Sequence, residues 1–193
     1  MAVSTADEIR VKLVLAGAEG SGRAEWLAAF AKRMGNIPVR QTTVGETRVR
    51  RTEFVWPQPL PDGRLLRLLV FATTGPLAYN AIEQLLMQQA DGVAILFDAS
   101  PERLQASRDA LLRAADNIQR AGHKLGTIPT VVQYHHIERH HNFSAEKLDA
   151  WIGLPADRIP RFSTPSHIID APDAALDTLV AEISRKVSGK HAA

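Results

Sequence analysis

The sequence has 193 residues, of which 45% are apolar and 23% charged, and it contains no cysteine. This length is enough for one domain with a substantial core, and the composition is that of a globular protein. Without cysteine there are no disulfides, no thiolate metal site and no cysteine nucleophile. A net charge of +2 is too small to indicate a nucleic-acid partner. We see neither a signal-peptide pattern nor a membrane-spanning apolar run, so we expect a cytoplasmic protein without an integral membrane segment.

Strand patterns and helix patterns alternate along the chain. Six segments have the short apolar or alternating pattern of strands: RVKLVLAG, TRVRRTEFVW, RLLRLLVFA, GVAILFDAS, IPTVVQY and IPRFST. The second and third are joined by PQPLPDG, whose prolines and Asp-Gly pair predict a hairpin turn. Helical patterns cover Arg23–Met34, Tyr79–Gln89, Pro101–Ala121, Ser144–Trp151 and Ala171–Val187.

This alternation predicts an α/β fold with a mostly parallel six-stranded sheet, one antiparallel hairpin, and helices on both faces. No internal repeat or low-complexity segment is present. We therefore expect a single domain over residues 8–188 and a flexible tail at 189–193. In such sheets, ligands bind at the carboxyl ends of the strands, where the loops gather.

The first of these loops, GAEGSGRA, has the glycine spacing of a phosphate-binding loop and lies between a strand and a helix. Its candidate nucleotide-site positions are Gly17, Gly20, Ser21, Gly22, Arg23 and Ala24. The glycines allow turns that aim backbone N–H groups at an anion. Such loops end in Lys and then Ser or Thr, but Arg23 is a wide planar fork and Ala24 lacks the hydroxyl that ligates Mg²⁺. An accidental glycine-rich turn is the alternative.

The order of the segments, with its hairpin, resembles the Ras-like small GTPases. DGVAILFDAS, IPTVVQY and the layout around FATTGP look most like the bacterial gliding-motility and cell-polarity branch, the MglA-like proteins. The resemblance covers roughly residues 10–188. It implies a Ras-like P-loop fold, GTP or GDP with Mg²⁺ as ligands, and a small roadblock-domain (MglB-like) dimer as a partner of the switch regions.

The chain departs from that family at most positions that carry nucleotide chemistry. The D-x-x-G segment reads ATTG, with Ala72 at the acidic position and Gly75 retained, although the MglA-like branch tolerates a non-acidic residue there. Pro76 stands where a Gln usually positions the attacking water, and Pro has no donor. The guanine-reading N-K-x-D segment reads HHIE, and the carboxylate of Glu138 extends one methylene too far for a good bidentate contact.

These departures imply a catalytically inactive pseudo-GTPase, without a nucleotide cofactor, that acts as a protein–protein interaction module in polarity, motility or signalling. The alternative is a divergent nucleotide-binding protein with weak GTPase or ATPase activity. The segment ETRVRRTEFVW aligns with the first switch and the following strand. Arg48 and Arg50 share one face of that strand, with Val49 and Arg51 on the other. These arginines suit either an acidic partner or a solvated edge protected against aggregation.

A histidine cluster in HHIERHH offers a third possibility. Its members are His135, His136, His140 and His141. If the segment is helical, His136 and His140 stand at i and i+4, the spacing that lets two imidazoles share Zn²⁺ or Ni²⁺. A polar loop is the alternative interpretation. The sequence identifies no third ligand, so we assign no metal site.

Overall fold

The computed structural model describes residues 7–44, 47–74, 80–139, 144–153, 159–164 and 173–189. Seven strands form one sheet: β1 (Glu8–Gly17), β2 (Arg40–Val44), β3 (Thr47–Val55), β4 (Leu65–Thr74), β5 (Gly92–Asp98), β6 (Thr130–His135) and β7 (Arg161–Thr164). Their order across the sheet is β2-β3-β4-β1-β5-β6-β7. The β2–β3 and β3–β4 pairs are antiparallel, and the other four pairs are parallel. The predicted α/β class is confirmed.

Five α-helices lie close to the predicted bounds: α1 (Arg23–Arg33), α2 (Asn80–Met87), α3 (Leu104–Arg120), α4 (Ala145–Ile152) and α5 (Asp173–Gly189). Ser144 caps α4, as its pattern predicts, because its side chain accepts a hydrogen bond from the Lys147 backbone N–H at 3.4 Å. The last helix includes Gly189, which we expected in the tail, and residues 190–193 lie outside the described residues.

The six-strand prediction was wrong because β2 carries no apolar signal. Its sequence is RQTTV, and all five of its residues are exposed. Since β2 lies at the edge of the sheet, it pairs with β3 alone and contributes little to the core. A strand of this kind is specified by its hydrogen bonds to a neighbour and not by hydrophobic periodicity. The sheet therefore has two antiparallel contacts, β2–β3 and β3–β4, where one was predicted.

Two apolar layers sandwich the sheet. On one face α1 and α5 pack against the strands through residues such as Phe30 and Leu179, which are fully buried. On the other face α2, α3 and α4 cover β1, β5 and β6, with Leu111 and Leu148 at the centre of the contact. None of the helices in the described ranges is long and apolar enough to cross a membrane.

The carboxyl ends of the parallel strands lie together at one edge of the sheet. Residue by residue, β1 is in register with β5, so that Gly17 lies beside Leu96, and β5 is in register with β6, so that Asp98 lies beside His135. All seven residues of β5 are buried, which matches a strand flanked by parallel neighbours and covered on both faces. The glycine loop after β1 is thereby placed next to the ends of β4, β5 and β6.

Candidate functional site

The glycine loop has the backbone turns that its sequence predicts. Gly20 and Gly22 adopt φ of 75° and 87°, in the left-handed region that favours glycine. A Cβ on Gly17 would clash with the Leu96 carbonyl oxygen, so the end of β1 passes too close to β5 for any side chain. Gly22 is the N-cap of α1, and no side chain caps the helix there. The first N–H groups of α1 therefore face the loop without a side-chain acceptor.

Arg23, at the lysine position of the phosphate-loop pattern, is buried and turned toward the end of β4. Arg23 is only 7% exposed, and its Nη1 donates a hydrogen bond to Thr73 Oγ1 at 2.9 Å. Burial lowers the pKa of the Arg23 guanidinium, and the nearby Glu83 carboxylate opposes that shift. The charge that would meet a phosphate is thus engaged by groups of the protein itself.

Glu83 on α2 is the acid that acts most strongly on Arg23. Burial raises the pKa of the Glu83 carboxyl, whereas Arg23 and then Arg113, on α3, act to lower it. Arg113 in turn disfavours the charged form of Arg23. These three residues and Thr73 form what we call the Arg23 cluster, which links the start of α1 to β4, α2 and α3. Sequence reasoning missed Thr73, Glu83 and Arg113, because their role depends on tertiary neighbours.

The oxygen donors expected around Mg²⁺ are missing at two positions of the site. Ala24 and Ala72 each carry only a methyl group, and Ala72 is fully buried. Asp98, at the end of β5, is buried and its Oδ1 accepts a hydrogen bond from the Ser100 N–H at 2.9 Å. That carboxylate closes a turn. Ser21 is 3% exposed, and its hydroxyl has no hydrogen-bond partner among the residues that the structure describes.

Arg103, just before α3, places a second cation against the loop. Its Nη2 donates to the Glu19 carbonyl oxygen at 2.7 Å, and the guanidinium lies where a Cβ on Gly20 would stand. The sequence analysis did not single out Arg103. The available signal was its position soon after a strand end, in the edge where ligand-binding loops gather.

The segment at the guanine-reading position lies beside the loop. His135 ends β6, with Nε2 3.9 Å from the position of a Cβ on Gly22. His136 has a φ of 59°, so the chain leaves the strand through a left-handed residue. A short 3₁₀ helix, Ile137–Arg139, follows, and Glu138 lies within it. The side chain of Glu138 is outside the described part of the structure.

Several predicted positions fall on residues that the structure does not describe. They are Gly75, Pro76, His140 and His141. The i, i+4 helical arrangement of His136 and His140 is therefore untested at its second member, while His136 itself precedes the 3₁₀ helix. Within the described ranges, no group of three or more His, Asp or Glu residues could hold a metal ion.

The two strands at the antiparallel edge of the sheet, β2 and β3, carry several arginines. Arg48 and Arg50 share one face of β3, as predicted, and Arg50 Nε donates to Gln41 Oε1 at 3.0 Å. Arg51 points to the opposite face, directly across from Arg40 on β2. Both Arg40 and Arg51 are exposed. The basic character of this edge thus comes from both of its strands.

Comparisons with known proteins agree with this architecture. The chain is similar to the mutual gliding-motility protein MglA of Myxococcus xanthus (strain DK1622), with 30% identity over 92 residues. The alignment spans about half of each protein, 46% of this chain and 47% of MglA. No protein-family model matches the chain. The similarity and the mixed seven-stranded sheet support a distant relationship to the Ras-like small GTPases.

Proposed function

We propose that this protein is an MglA-like pseudo-GTPase, a Ras-like domain that binds protein partners and neither hydrolyses nor requires a nucleotide. The observation that carries the proposal is the engagement of Arg23. Its guanidinium is buried and hydrogen-bonded to Thr73, and the Glu83 carboxylate favours its charged form. Binding a nucleotide through Arg23 would break the buried hydrogen bond to Thr73 and leave the Thr73 hydroxyl without this partner, which costs free energy.

The donor set also does not fit an Mg²⁺–phosphate centre. Mg²⁺ prefers oxygen ligands in near-octahedral geometry, and it neutralises the phosphates in nucleotide hydrolysis. Ala24 supplies no oxygen where the Ras-like family has a Ser or Thr, and Ala72 supplies none at a position where the MglA-like branch also tolerates a non-acidic residue. Asp98, the acid at the neighbouring strand end, has an oxygen committed to the Ser100 backbone. We therefore derive no hydrolytic step for this site.

A polarity or motility role follows the similarity to MglA, whose name describes gliding motility. The MglA-like resemblance implies a roadblock-domain dimer as partner and the switch-equivalent segments as its docking surface. With Arg23 held within the protein, that surface has no γ-phosphate to control it, so binding should not depend on nucleotide.

Titration calorimetry with a roadblock-domain protein from the same genome tests this function. Affinity should be the same within about twofold without nucleotide, with GDP, and with Mg²⁺ plus a non-hydrolysable GTP analogue, because a ligand shifts an equilibrium only through differential binding. A tenfold or larger change in affinity with either nucleotide would contradict the proposal.

Weak nucleotide binding is the second candidate, favoured by one observation. The loop keeps its left-handed glycines, and Arg103 places a cation against it. If the loop binds nucleotide, Arg103→Ala weakens that binding, whereas Arg120→Ala, at the far end of α3, leaves it unchanged. Equal nucleotide affinity in the two variants would show that Arg103 does not contribute to nucleotide binding.

A further inference from the structure

A cleft opens on the sheet face formed by β2, β3 and β4, on the side away from α1. It has a volume of about 200 Å³, and its floor includes the partly buried side chains of Leu69 and Phe71. Arg40, Arg51 and Glu53 form part of its wall. Further along the same face, Lys12 lies over the Phe71 ring at 5.5 Å. We call this feature the β2–β4 cleft.

Two arginines stand side by side at one end of this cleft. Arg40 and Arg51 are directly opposed in the antiparallel β2–β3 pair, and Arg51 is also opposite Phe71 on β4. Like charges at directly opposed strand positions are destabilising. Neither guanidinium has an ion pair with an acid in the part of the chain that the structure describes.

The other charges at the cleft are those of Arg67 and the two acids that it contacts. Arg67 Nε lies 2.6 Å from Glu8 Oε2, and Arg67 Nη1 lies 3.5 Å from Glu53 Oε1. Among the residues that the structure describes, the ion pair of Glu53 is with Arg67 and not with Arg40 or Arg51. The cleft thus combines an apolar floor with two arginines at one end, neither of which is ion-paired within the described ranges.

Protection of a sheet edge does not explain this arrangement. A charged residue on β2 blunts the edge, which accounts for Arg40. Arg51 lies on β3, whose backbone is paired with β2 on one side and β4 on the other. An inner strand has no edge to protect, yet Arg51 stands against Arg40 and above an apolar floor.

We propose that the β2–β4 cleft binds an acidic segment of a partner protein, which inserts one apolar side chain over Leu69 and Phe71 and places carboxylates on Arg40 and Arg51. The cleft is smaller than the roughly 300–1,000 Å³ of small-molecule sites, which favours a single inserted side chain. Arginine forks suit carboxylates, which they bind in a bidentate manner. This inference deepens the proposed interaction function and rests on it.

A protein segment fits better than nucleic acid. Nucleic-acid surfaces carry a patch or stripe of cations that tracks many phosphates. Here the cleft cations that lack an ion pair in the described part of the chain are one arginine pair, and Glu53 lies in the same wall. The whole chain has a net charge of only +2. Glu53, in the same wall as Arg40 and Arg51, would repel a continuous phosphate backbone. A protein segment can instead place its carboxylates on the arginines and away from Glu53.

Fluorescence anisotropy with synthetic peptides tests the inference on the full-length protein. The probe is a labelled heptapeptide with six glutamates around a central phenylalanine, at low ionic strength. Two matched peptides replace the phenylalanine by alanine or the glutamates by glutamines. The protein variants are Arg40→Gln/Arg51→Gln and a control with the same charge change elsewhere, Lys32→Gln/Arg185→Gln, both checked for folding by thermal unfolding.

Wild type and the control variant should bind the acidic phenylalanine peptide equally, and the Arg40→Gln/Arg51→Gln variant at least about tenfold more weakly, a loss near 1.4 kcal/mol. Both matched peptides should bind wild type more weakly. The proposal is overturned if the acidic peptide does not bind wild type, if alanine serves as well as phenylalanine, or if the two protein variants lose affinity equally. Tighter arginine-dependent binding of a single-stranded oligonucleotide would also overturn it. None of these results depends on nucleotide, so they leave the pseudo-GTPase proposal to its own test.

Discussion

At the scale of single residues, the buried contact between Arg23 and Thr73 is the most specific feature of the site. Their hydrogen bond, 2.9 Å long, joins two residues that are each 7% exposed. Thr73→Val keeps the shape of the side chain and removes the acceptor, so it leaves a buried guanidinium donor unsatisfied. We expect a loss of about 1–3 kcal/mol in the free energy of unfolding, measured by urea denaturation.

A double-mutant cycle isolates this contact. Arg23→Met, Thr73→Val and the double variant should give a coupling energy of about 0.5–3 kcal/mol if the two side chains interact directly. Additive effects of the two substitutions would show that Arg23 is held by other groups, and the engagement of Arg23 by Thr73 would have to be abandoned.

Two glycines of the loop should respond differently to the same substitution. At Gly17 a new Cβ meets the backbone carbonyl of Leu96, which cannot move without disturbing β5. At Gly20 it meets the end of the Arg103 side chain, which can rotate away. Gly17→Ala should therefore destabilise the protein by more than Gly20→Ala, whose cost is mainly the roughly 1–2 kcal/mol of a left-handed non-glycine residue. The ranking of their urea midpoints is the measurement, and a larger loss at Gly20 would contradict the close β1–β5 approach.

Arg51 should be unfavourable for stability in the free protein. Arg51→Gln removes the repulsion with Arg40 while keeping a long polar side chain at the same position. We expect the free energy of unfolding to rise by about 0.2–1 kcal/mol, and by more at low than at high salt. Lys32→Gln, on an exposed helix face, serves as the control without an opposed cation. A loss of stability in Arg51→Gln would mean that the arginine makes a favourable contact that outweighs the repulsion.

At the scale of elements, α2 is tied to the loop through Glu83. The folded-state pKa of the Glu83 carboxyl lies above its ordinary value of 4.5 because of burial. Between that value and its raised pKa, the folded protein holds more protons at this site than the unfolded chain. The stability contributed by this protonation is therefore complete below pH about 4.5 and is lost as the pH rises through the folded pKa.

Glu83→Gln should remove this dependence. The free energy of unfolding of wild type minus that of the variant should fall as the pH is raised from about 4.5, when both are measured by urea denaturation over the same series. Taking the difference cancels the titration of the seven histidines, which both proteins share. A difference that is constant with pH, or that rises, would contradict burial of Glu83 as the dominant influence on its pKa.

The sequence predicted elements well where they face the core and poorly where they do not. β5 was recognised from a continuous apolar run, and α4 from the Ser144 cap and its apolar stripe. β2 was missed because every residue in it is exposed. Hydrophobic periodicity arises from burial, so an exposed edge strand does not produce it.

At the scale of the whole molecule, the sheet order explains what the sequence could not foresee at the site. The glycine loop was predictable because its residues are contiguous. The Arg23 cluster was not, since Thr73, Glu83 and Arg113 come from β4, α2 and α3 and meet only when the sheet brings β4 beside β1. Arg103 reaches the loop for the same reason, through the β1–β5 pairing. The chemistry of the site is thus a property of the fold.

The central claim is that this fold carries out its interactions without a nucleotide. Thermal unfolding of the purified protein with Mg²⁺ and millimolar GTP, GDP or ATP tests it most directly. A ligand at 100 times its Kd stabilises the native state by about 2.7 kcal/mol, which for a domain of this size raises the Tm by several degrees. We expect no shift in Tm with any of the three nucleotides and no nucleotide bound to the protein as purified. A clear Mg²⁺-dependent rise in Tm would contradict it, because Arg23 and the glycine loop would then still hold phosphate.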